Sequence, residues 1–185
     1  PVLNGGDGSN QHPSQTLLDL YTIIKEKGTL ENLHIAFTGD LKYGRTVHSL
    51  AKALKHFHPV IYFVSPSNLA MPQYLLDDLD DAGVTYYIEE NFTGCLDKLD
   101  VFYMTRIQRE RFPDPEEYEK VKGVYIINRG NIEGKCKDDM IIMHPLPRVN
   151  EIDVDLDTTK YARYFEQARN GIPIRQAMMM LSLER

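Results

Sequence analysis

Residues 33–54, LHIAFTGDLKYGRTVHSLAKAL, carry the pattern that decides the fold of this 185-residue chain. Apolar residues alternate with more tolerant positions over residues 33–37, as in a buried strand, and the pattern ends at Gly39. After Gly44 the apolar residues recur at helical spacing, which indicates an amphipathic helix. The segment therefore predicts a strand, a polar turn and a helix in direct succession.

The turn between this strand and helix, residues 40–45, ends on Arg45. In open α/β sheets, ligands bind beyond the carboxyl ends of the strands, which is the position of this turn. A helix N-terminus also favours an anion through its unpaired N–H groups and the helix dipole. We therefore expect Arg45 to help form an anion site.

The rest of the chain repeats this alternation. Further strands are predicted at residues 60–64, 84–88, 101–104, 124–127 and 140–143. Other helices are predicted at residues 13–28, 71–81, 91–98, 159–168 and, after a break at Asn170-Gly171, 174–183. An apolar stripe marks the first of these helices: Leu17, Leu18, Tyr21 and Ile24. The pattern predicts an α/β fold of three layers, with a mostly parallel sheet and helices on both faces.

Composition narrows the function classes. The net charge of −6 argues against a nucleic-acid-binding surface. No apolar run approaches 18 residues, so no membrane span is expected. The two cysteines, Cys95 and Cys136, lie far apart and outside any CxxC pattern, which favours a reduced, cytoplasmic protein. The sequence shows neither metal-ligand spacing nor a glycine-rich nucleotide motif, so we expect no metal and no cofactor.

Four polar clusters lie on predicted loops, and three of them directly follow predicted strands. They are residues 11–15 (QHPSQ), 42–45 (KYGR), 106–111 (RIQRER) and 144–148 (HPLPR). Because the carboxyl ends of parallel strands meet at one edge of a sheet, we expect the last three clusters to lie together. Arginine binds a carboxylate or phosphate through two parallel hydrogen bonds. In an acidic chain, this concentration of cationic side chains favours an anionic ligand.

Each cluster also has a simpler interpretation. Arg109, Glu110 and Arg111 alternate in sign, so a solvated salt-bridge surface explains them equally well. A lone surface histidine is the simpler interpretation of His12, although the flanking glutamines and the helix start favour a donor aimed at a ligand. Three further histidines are expected to face solvent: His48, His56 and His58.

The segment His144-Pro145-Leu146-Pro147 adds a different chemistry. Its two prolines lack an N–H group, so the segment offers mainly carbonyl oxygens, which accept hydrogen bonds from an amine. Arginines for carboxylates combined with carbonyls for an amine describe a site for a dicarboxylic amino acid.

With these motifs, the chain closely resembles the catalytic chain of the aspartate transcarbamoylase (aspartate carbamoyltransferase) family. The matching motifs are GDGSNQHPSQTLLDL at 6–20, GDLKYGRTVHSL at 39–50, YMTRIQRER at 103–111 and MHPLPRVNEI at 143–152. They are spread over most of the chain, in the family's order. The resemblance implies the aspartate-binding half of an enzyme that transfers the carbamoyl group of carbamoyl phosphate to the α-amine of L-aspartate, early in pyrimidine biosynthesis.

The resemblance also implies roles for individual residues. His12 and Gln15 would contact carbamoyl phosphate, with His12 donating to its carbonyl oxygen. Arg45, Arg106 and Gln108 would hold the carboxylates of aspartate, and Pro145 and Leu146 would present backbone carbonyls to the reacting groups. The catalytic residues would be His12, Gln15 and Arg45. Structural or closure contacts would come from Lys42, Tyr43, Glu117, Arg148 and Glu151, and residues 106–121 resemble a loop that moves on domain closure.

The family pattern divides the chain into three parts. Residues 1–13 would enter from a carbamoyl-phosphate domain preceding Pro1, residues 14–169 would form the aspartate-binding domain, and residues 170–185 would form a helix packed on the missing domain. The family's Ser-Thr-Arg-Thr phosphate loop is absent, so we expect the chain alone to be inactive. The family further implies a homotrimer, in which a neighbouring chain supplies a serine and a lysine, with regulatory chains as an optional partner.

Two other functions stay open. Ornithine transcarbamoylase shares the His-Pro-x-Gln element, but it has His-Cys-Leu-Pro at residues 144–147, and ornithine would need an acceptor for a second ammonium. The other is a non-catalytic ligand-binding domain of the same type.

Overall fold

The computed structural model describes residues 2–8, 10–107, 112, 114–121, 123 and 125–183. The strands are β1 (His34–Thr38), β2 (Val60–Val64), β3 (Thr85–Glu89), β4 (Val101–Met104) and β5 (Ile141–Met143). The helices are α1 (Pro13–Lys27), α2 (Arg45–Leu54), α3 (Gln73–Asp81), α4 (Pro115–Val121), α5 (Arg129–Ile132) and α6 (Tyr164–Leu183). The five strands of the described residues all pair in parallel, in the order β3-β2-β1-β4-β5. The predicted α/β class is confirmed.

The sheet separates two buried clusters because successive side chains of a strand point to opposite faces. On one face Ile35 and Phe37 pack with residues of α1, α2 and α3. On the other face Ala36 and Phe102 pack with short 3₁₀ turns, with α5 and with Tyr164 at the start of α6. The central strands are buried on both faces, so they read as continuous apolar runs in the sequence.

The buried side of α1 does not follow its apolar stripe, of which only Leu18 is buried. The residues Leu17, Tyr21 and Ile24 of its apolar stripe are 41–46% exposed, whereas the buried positions include polar residues: Ser14, Gln15, Thr16, Asp19 and Thr22. This side of the helix packs against α6 and reaches Tyr103 of β4, where the polar side chains find hydrogen-bond partners. Periodicity alone assigns the apolar stripe to the core and therefore misplaces the helix face.

The predicted break at Asn170-Gly171 is wrong, because α6 is one helix of 20 residues with Pro173 inside it. Packing against α1 explains the continuity. A Cβ on Gly171 would lie 3.3 Å from Leu18 Cδ2, so the glycine allows close contact between the helices, and Asn170 Nδ2 donates to Thr22 Oγ1 at 2.9 Å. Neither this helix nor any other in the described part of the chain is long and apolar enough to cross a membrane.

Two other segments, 124–127 and 91–98, differ from their predicted secondary structure. Within residues 124–127, which were predicted as a strand, only an isolated bridge from Ile127 to Ile152 forms among the described residues. Asn128 directly follows and caps α5 with a reciprocal capping box, so the extended segment ends at this point. The predicted helix at 91–98 is two 3₁₀ turns, Phe92–Gly94 and Leu96–Lys98.

The strand order creates a crevice between β1 and β4. The chain leaves β1 through α2 and returns on one side as β2, whereas β4 lies on the other side of β1. Such a reversal of strand order separates the loops at the carboxyl edge and is where α/β sheets bind ligands. Gly39, with φ +112°, brings the end of β1 against β4, where an added Cβ would lie 2.4 Å from Thr105 O.

We expect Gly39→Ala to destabilise the fold by at least ~3 kcal/mol, because the new Cβ adds a backbone clash to the unfavourable positive φ. Gly28→Ala is the matched control. Gly28 also has a positive φ, of +75°, but nothing lies within 4 Å of its added Cβ, so we expect a loss of only ~1 kcal/mol. Urea unfolding midpoints measure both, and equal losses would contradict the close approach.

Candidate ligand-binding site

A cavity of about 210 Å³ opens at the carboxyl edge of the sheet. Its lining comprises His12, Gln15, Asp40, Tyr43, Gly44, Arg45, Thr46, Thr105, Arg106, His144, Pro145, Leu146 and Pro147. All four polar clusters of the sequence contribute to it. Every site residue predicted from the resemblance lines this cavity, except Gln108, which lies outside the described residues. The arginines from two separate strand ends, Arg45 and Arg106, thus share one cavity.

The turn that carries Arg45 is fixed by its own polar groups. Tyr43 N–H donates to Asp40 Oδ1 at 2.9 Å, and His48 Nε2 donates to the carbonyl of Leu41 at 2.7 Å. His48 is therefore buried and not solvent-facing as predicted, because it holds the turn from within α2. The guanidinium of Arg45 donates in turn to the carbonyl of Gly8, which brings the loop before α1 to the cavity.

A threonine joins the ends of β1 and β4. Thr105 Oγ1 accepts from Asp40 N–H and donates to Thr38 O, both at 3.0 Å. The next residue is Arg106, so the hydroxyl sets the spacing between the two arginine-bearing turns. Because these hydrogen bonds are buried, they hold the turns more firmly than exposed contacts would.

The loop after β5 is organised around His144. Leu146 N–H donates to His144 Nδ1 at 2.8 Å, so Nδ1 carries no hydrogen and the neutral ring is protonated at Nε2. Nε2 donates to Glu151 Oε1 at 2.8 Å, and Glu151 Oε2 accepts from the N–H groups of Val149 and Asn150 at 3.1 Å. Leu146 itself has a positive φ of 52°. One imidazole and one carboxylate thus fix the path of the loop that lines the cavity.

The carboxylate of Glu151 stays ionised in this setting. Burial alone would raise its pKa, but hydrogen bonds from His144 and from backbone N–H groups favour the charged form, and the net pKa is lowered. The loop therefore keeps its anchor at neutral pH.

His12 begins α1 at the rim of the cavity. Its backbone N–H donates to Ser49 Oγ at 3.1 Å, which ties the start of α1 to α2. Its side-chain Nδ1 is buried and has no hydrogen-bond partner among the described residues. Burial lowers the pKa of His12, and the positive charges of Arg45 and Arg175 lower it further, against the opposing effect of Asp7. His12 is therefore neutral at pH 7.

The remaining predicted contacts lie around the cavity. Arg148 binds the carboxylate of Asp157, with Nη2 to Oδ2 at 2.6 Å, and does not line the cavity. The Nζ of Lys42 lies 5.2 Å from the ring centroid of Tyr43. The side chain of Glu117 and residues 108–111 of the predicted mobile loop lie outside the described residues.

Thr46 and Thr105 were not predicted as lining residues, and Asp40 was placed in the predicted turn 40–45 without a role of its own. Each is a single polar residue in the strand-end loops after β1 and β4 or, for Thr46, in the first turn of α2. Their position beside the strand ends could have identified them as lining residues, because strand-end loops hold ligands in this fold class.

The chemistry of the lining suits an anion with more than one acidic group. Two arginines and a neutral histidine can donate to carboxylate, phosphate or carbonyl oxygens. The described lining contains neither a serine nor a cysteine that His12 or His144 could activate as a nucleophile. Of its two threonine hydroxyls, that of Thr105 is bonded to Asp40 N–H and Thr38 O, and that of Thr46 is hydrogen-bonded to Tyr103. The arrangement can therefore bind, orient and polarise its ligands.

Comparison with known proteins identifies relatives of this chain. A family model described as aspartate/ornithine carbamoyltransferase, Asp/Orn binding domain, matches residues 31–182. The aspartate carbamoyltransferase catalytic subunit of Brachyspira hyodysenteriae is 57% identical over 184 residues, which cover 100% of this chain and 51% of that protein. The subunit of the same name from Methanocaldococcus jannaschii is 55% identical, over 100% of this chain and 60% of that protein. The chain spans about half to three fifths of the length of these curated relatives.

Solved structures share the fold. The catalytic subunit of M. jannaschii aspartate transcarbamoylase matches with a TM-score of 0.89 at 56% identity, over 97% of this chain and 58% of that chain. Aspartate transcarbamoylase from Trypanosoma cruzi, in complex with N-(phosphonacetyl)-L-aspartic acid (PALA), also matches with a TM-score of 0.89, at 38% identity over the same fractions.

The electrostatics of the cavity predict that His12 titrates below the ordinary value of about 6.5. Arg45→Gln should raise its pKa, because a positive charge next to the ring is removed. Lys52→Gln, on the same helix as Arg45, should instead raise the pKa of His48, which Lys52 lowers, and leave His12 unchanged. NMR titration of the imidazole Cε1–H resonances measures both values, and a midpoint for His12 at or above 6.5 would contradict the placement.

Proposed function

Because this chain belongs to the aspartate/ornithine carbamoyltransferase family, we propose that it forms the aspartate-binding half of an aspartate carbamoyltransferase catalytic subunit. The whole protein transfers the carbamoyl group of carbamoyl phosphate to the α-amine of L-aspartate, giving N-carbamoyl-L-aspartate and phosphate. The observation that carries this proposal is the shared cavity of Arg45 and Arg106, next to Gln15 and the 144–147 loop.

The cavity offers a complementary group for each part of the two substrates. Arg45 and Arg106, with Gln108, bind the carboxylates of aspartate, because a guanidinium pairs with two oxygens at once. His12 and Gln15 bind carbamoyl phosphate. The loop at residues 144–147 contributes the carbonyls of Pro145 and Leu146 as acceptors for N–H groups.

The reaction proceeds by direct acyl substitution. The neutral α-amine attacks the carbamoyl carbon, a C–N bond forms, the C–O bond to phosphate breaks and the departing phosphate accepts the proton that the nitrogen loses. His12, Gln15 and Arg45 act on the reacting groups by orienting two anions and by stabilising the oxyanion, with His12 as a donor. A neutral histidine suits this role because it donates a hydrogen bond without adding charge to the amine's surroundings.

Aspartate is favoured over ornithine as the acceptor. Ornithine would bring a second ammonium where the cavity presents the guanidinium groups of Arg45 and Arg106. The carboxylate of Asp40 also lines the cavity, but its Oδ1 accepts from Tyr43 N–H within the turn. The curated relatives are named aspartate carbamoyltransferase catalytic subunits, which supports the same choice. Competition between the two amino acids in one assay tests it.

The setting of the protein belongs to the same proposal. A cytoplasmic location is supported by two free cysteines, of which Cys95 is buried and Cys136 half-buried. The whole protein forms a homotrimer, as the family resemblance implies, with regulatory chains as an optional addition. Sedimentation analysis of the complete gene product tests the trimer.

We expect Arg106→Ala, in the complete gene product, to lower kcat/KM for aspartate at least ~10-fold. A hydrogen bond to a charged group contributes about 1.5–3 kcal/mol, and 1.4 kcal/mol is a factor of ~10. Binding of carbamoyl phosphate should stay nearly unchanged. Arg169→Ala, at an exposed arginine outside the cavity, is the control and should alter neither value. Equal losses for both substrates would contradict the assignment of Arg106.

The chain alone should show no appreciable turnover, because it lacks the phosphate-binding loop that the family resemblance requires. Its activity is measured by formation of carbamoyl aspartate, with and without the N-terminal half supplied separately.

Calorimetric titration of the complete protein with PALA, combined with the same activity assay, separates an enzyme from a non-catalytic binding domain. Binding of PALA without turnover by the complete protein would favour the binding domain.

A further inference from the structure

A fully buried carboxylate lies next to the cavity. Asp19 is on α1, one turn after Gln15, and its exposed fraction is 0%. Three side chains from three elements donate to it. Gln15 Nε2 and Gln167 Nε2 donate to Oδ1 at 2.9 and 2.7 Å, and the hydroxyl of Tyr103 donates to Oδ2 at 2.8 Å. We call these four residues the Asp19 cluster.

The carboxylate fixes the orientation of both glutamine amides. In its ionised form, which predominates above its pKa of about 7, Asp19 only accepts hydrogen bonds, so each glutamine turns its NH₂ group toward it. The oxygen of Gln167 then faces the loop after β5 and accepts from His144 N–H at 2.7 Å. The oxygen of Gln15 is directed away from Asp19, on a side chain that lines the cavity. An unbroken chain of hydrogen bonds thus joins Gln15 to the start of the 144–147 loop.

The charge of Asp19 is costly at this position. No lysine or arginine pairs with it within the described residues, and burial raises its pKa to about 7 although its three hydrogen bonds lower it. The titratable group that faces it from β4 is Tyr103, whose pKa burial raises well above its ordinary value, so the hydroxyl stays a donor. An aliphatic residue at this position would avoid that cost. What a carboxylate adds is two acceptor oxygens for donors from α1, β4 and α6.

We propose that Asp19 is a positioning residue, which holds Gln15 and, through Gln167, the 144–147 loop in one fixed relation around the cavity. The effect on catalysis rests on the proposed function. The hydrogen-bonded connection between Gln15 and the 144–147 loop, which form the two walls of the cavity in question, is a property of the folded chain. Held in this way, Gln15 presents its amide oxygen to a substrate N–H group, and the His144 backbone sets the start of the segment that contains Pro145 and Leu146.

Three variants of the complete gene product test the proposal by steady-state kinetics. Asp19→Leu removes both acceptor oxygens and should lower kcat at least ~10-fold. Asp19→Asn keeps one oxygen that accepts from both glutamines while Tyr103 accepts from the new amide, so kcat should stay within ~3-fold of the wild type. Thr22→Val removes the neighbouring α1–α6 hydrogen bond from Asn170 and should leave kcat unchanged.

Hydrogen–deuterium exchange of the segment 141–151 supplies a second readout that does not depend on activity. Exchange there should be at least ~10-fold faster in Asp19→Leu than in the wild type, and unchanged in Asp19→Asn and Thr22→Val. If Asp19→Leu does not fold, Gln167→Met replaces it. This change removes the hydrogen bonds of Gln167 to Asp19 and to His144 N–H but keeps the bond from Gln15 to Asp19, and it should give the same faster exchange and lower kcat.

The outcomes separate this inference from the proposed function. Wild-type kcat and exchange values retained in Asp19→Leu or Gln167→Met would overturn the positioning role while leaving the carbamoyl transfer intact. A wild-type protein without carbamoyl transfer would overturn the proposed function, and the exchange data would still decide whether Asp19 couples the two walls. Equal losses in Asp19→Leu and Thr22→Val would show general loosening of the helix pair and would also overturn the role.

Discussion

The contact between the carboxyl ends of β1 and β4 is the constraint on which the site depends. Thr105 Oγ1 bridges Asp40 N–H and Thr38 O at 3.0 Å, and Gly39 allows the backbones to approach at this point. From here the chain leaves in different directions, because β1 and β4 lie on either side of the reversal in strand order. The two arginine-bearing turns therefore start from one fixed point in the sheet, and their side chains reach the same cavity.

Strands and helices whose hydrophobic pattern lies within their own residues were predictable from the sequence. The strands β2 and β4 have the bounds that the sequence indicates, and α2 starts after Gly44 with its apolar residues buried. The motifs at the strand ends were predictable as neighbours in space, since a parallel sheet aligns the carboxyl ends of its strands. The family motifs then named most of the residues that line the cavity.

Features that depend on partners distant in the sequence were not predictable. Asp19 and His48 are polar residues on helices, and helical periodicity places such residues in solvent. Their burial requires acceptors or donors from elsewhere, and Gln167 lies 148 positions from Asp19. The continuity of α6 through Gly171 and Pro173 has the same origin, because its close packing on α1 outweighs the weak helix preference of glycine and proline. Local signals cannot contain this information.

The backbone at Leu146 has a broader consequence for the 144–147 loop. Its φ of 52° lies in the region where a residue with a side chain costs about 1–2 kcal/mol more than glycine. Leucine nevertheless occupies the position, where it forms part of the cavity wall. The loop is thus locally frustrated, because glycine would relax the main chain whereas leucine shapes the cavity wall. The hydrogen bonds of His144 and Glu151 hold the loop in this conformation and offset its cost.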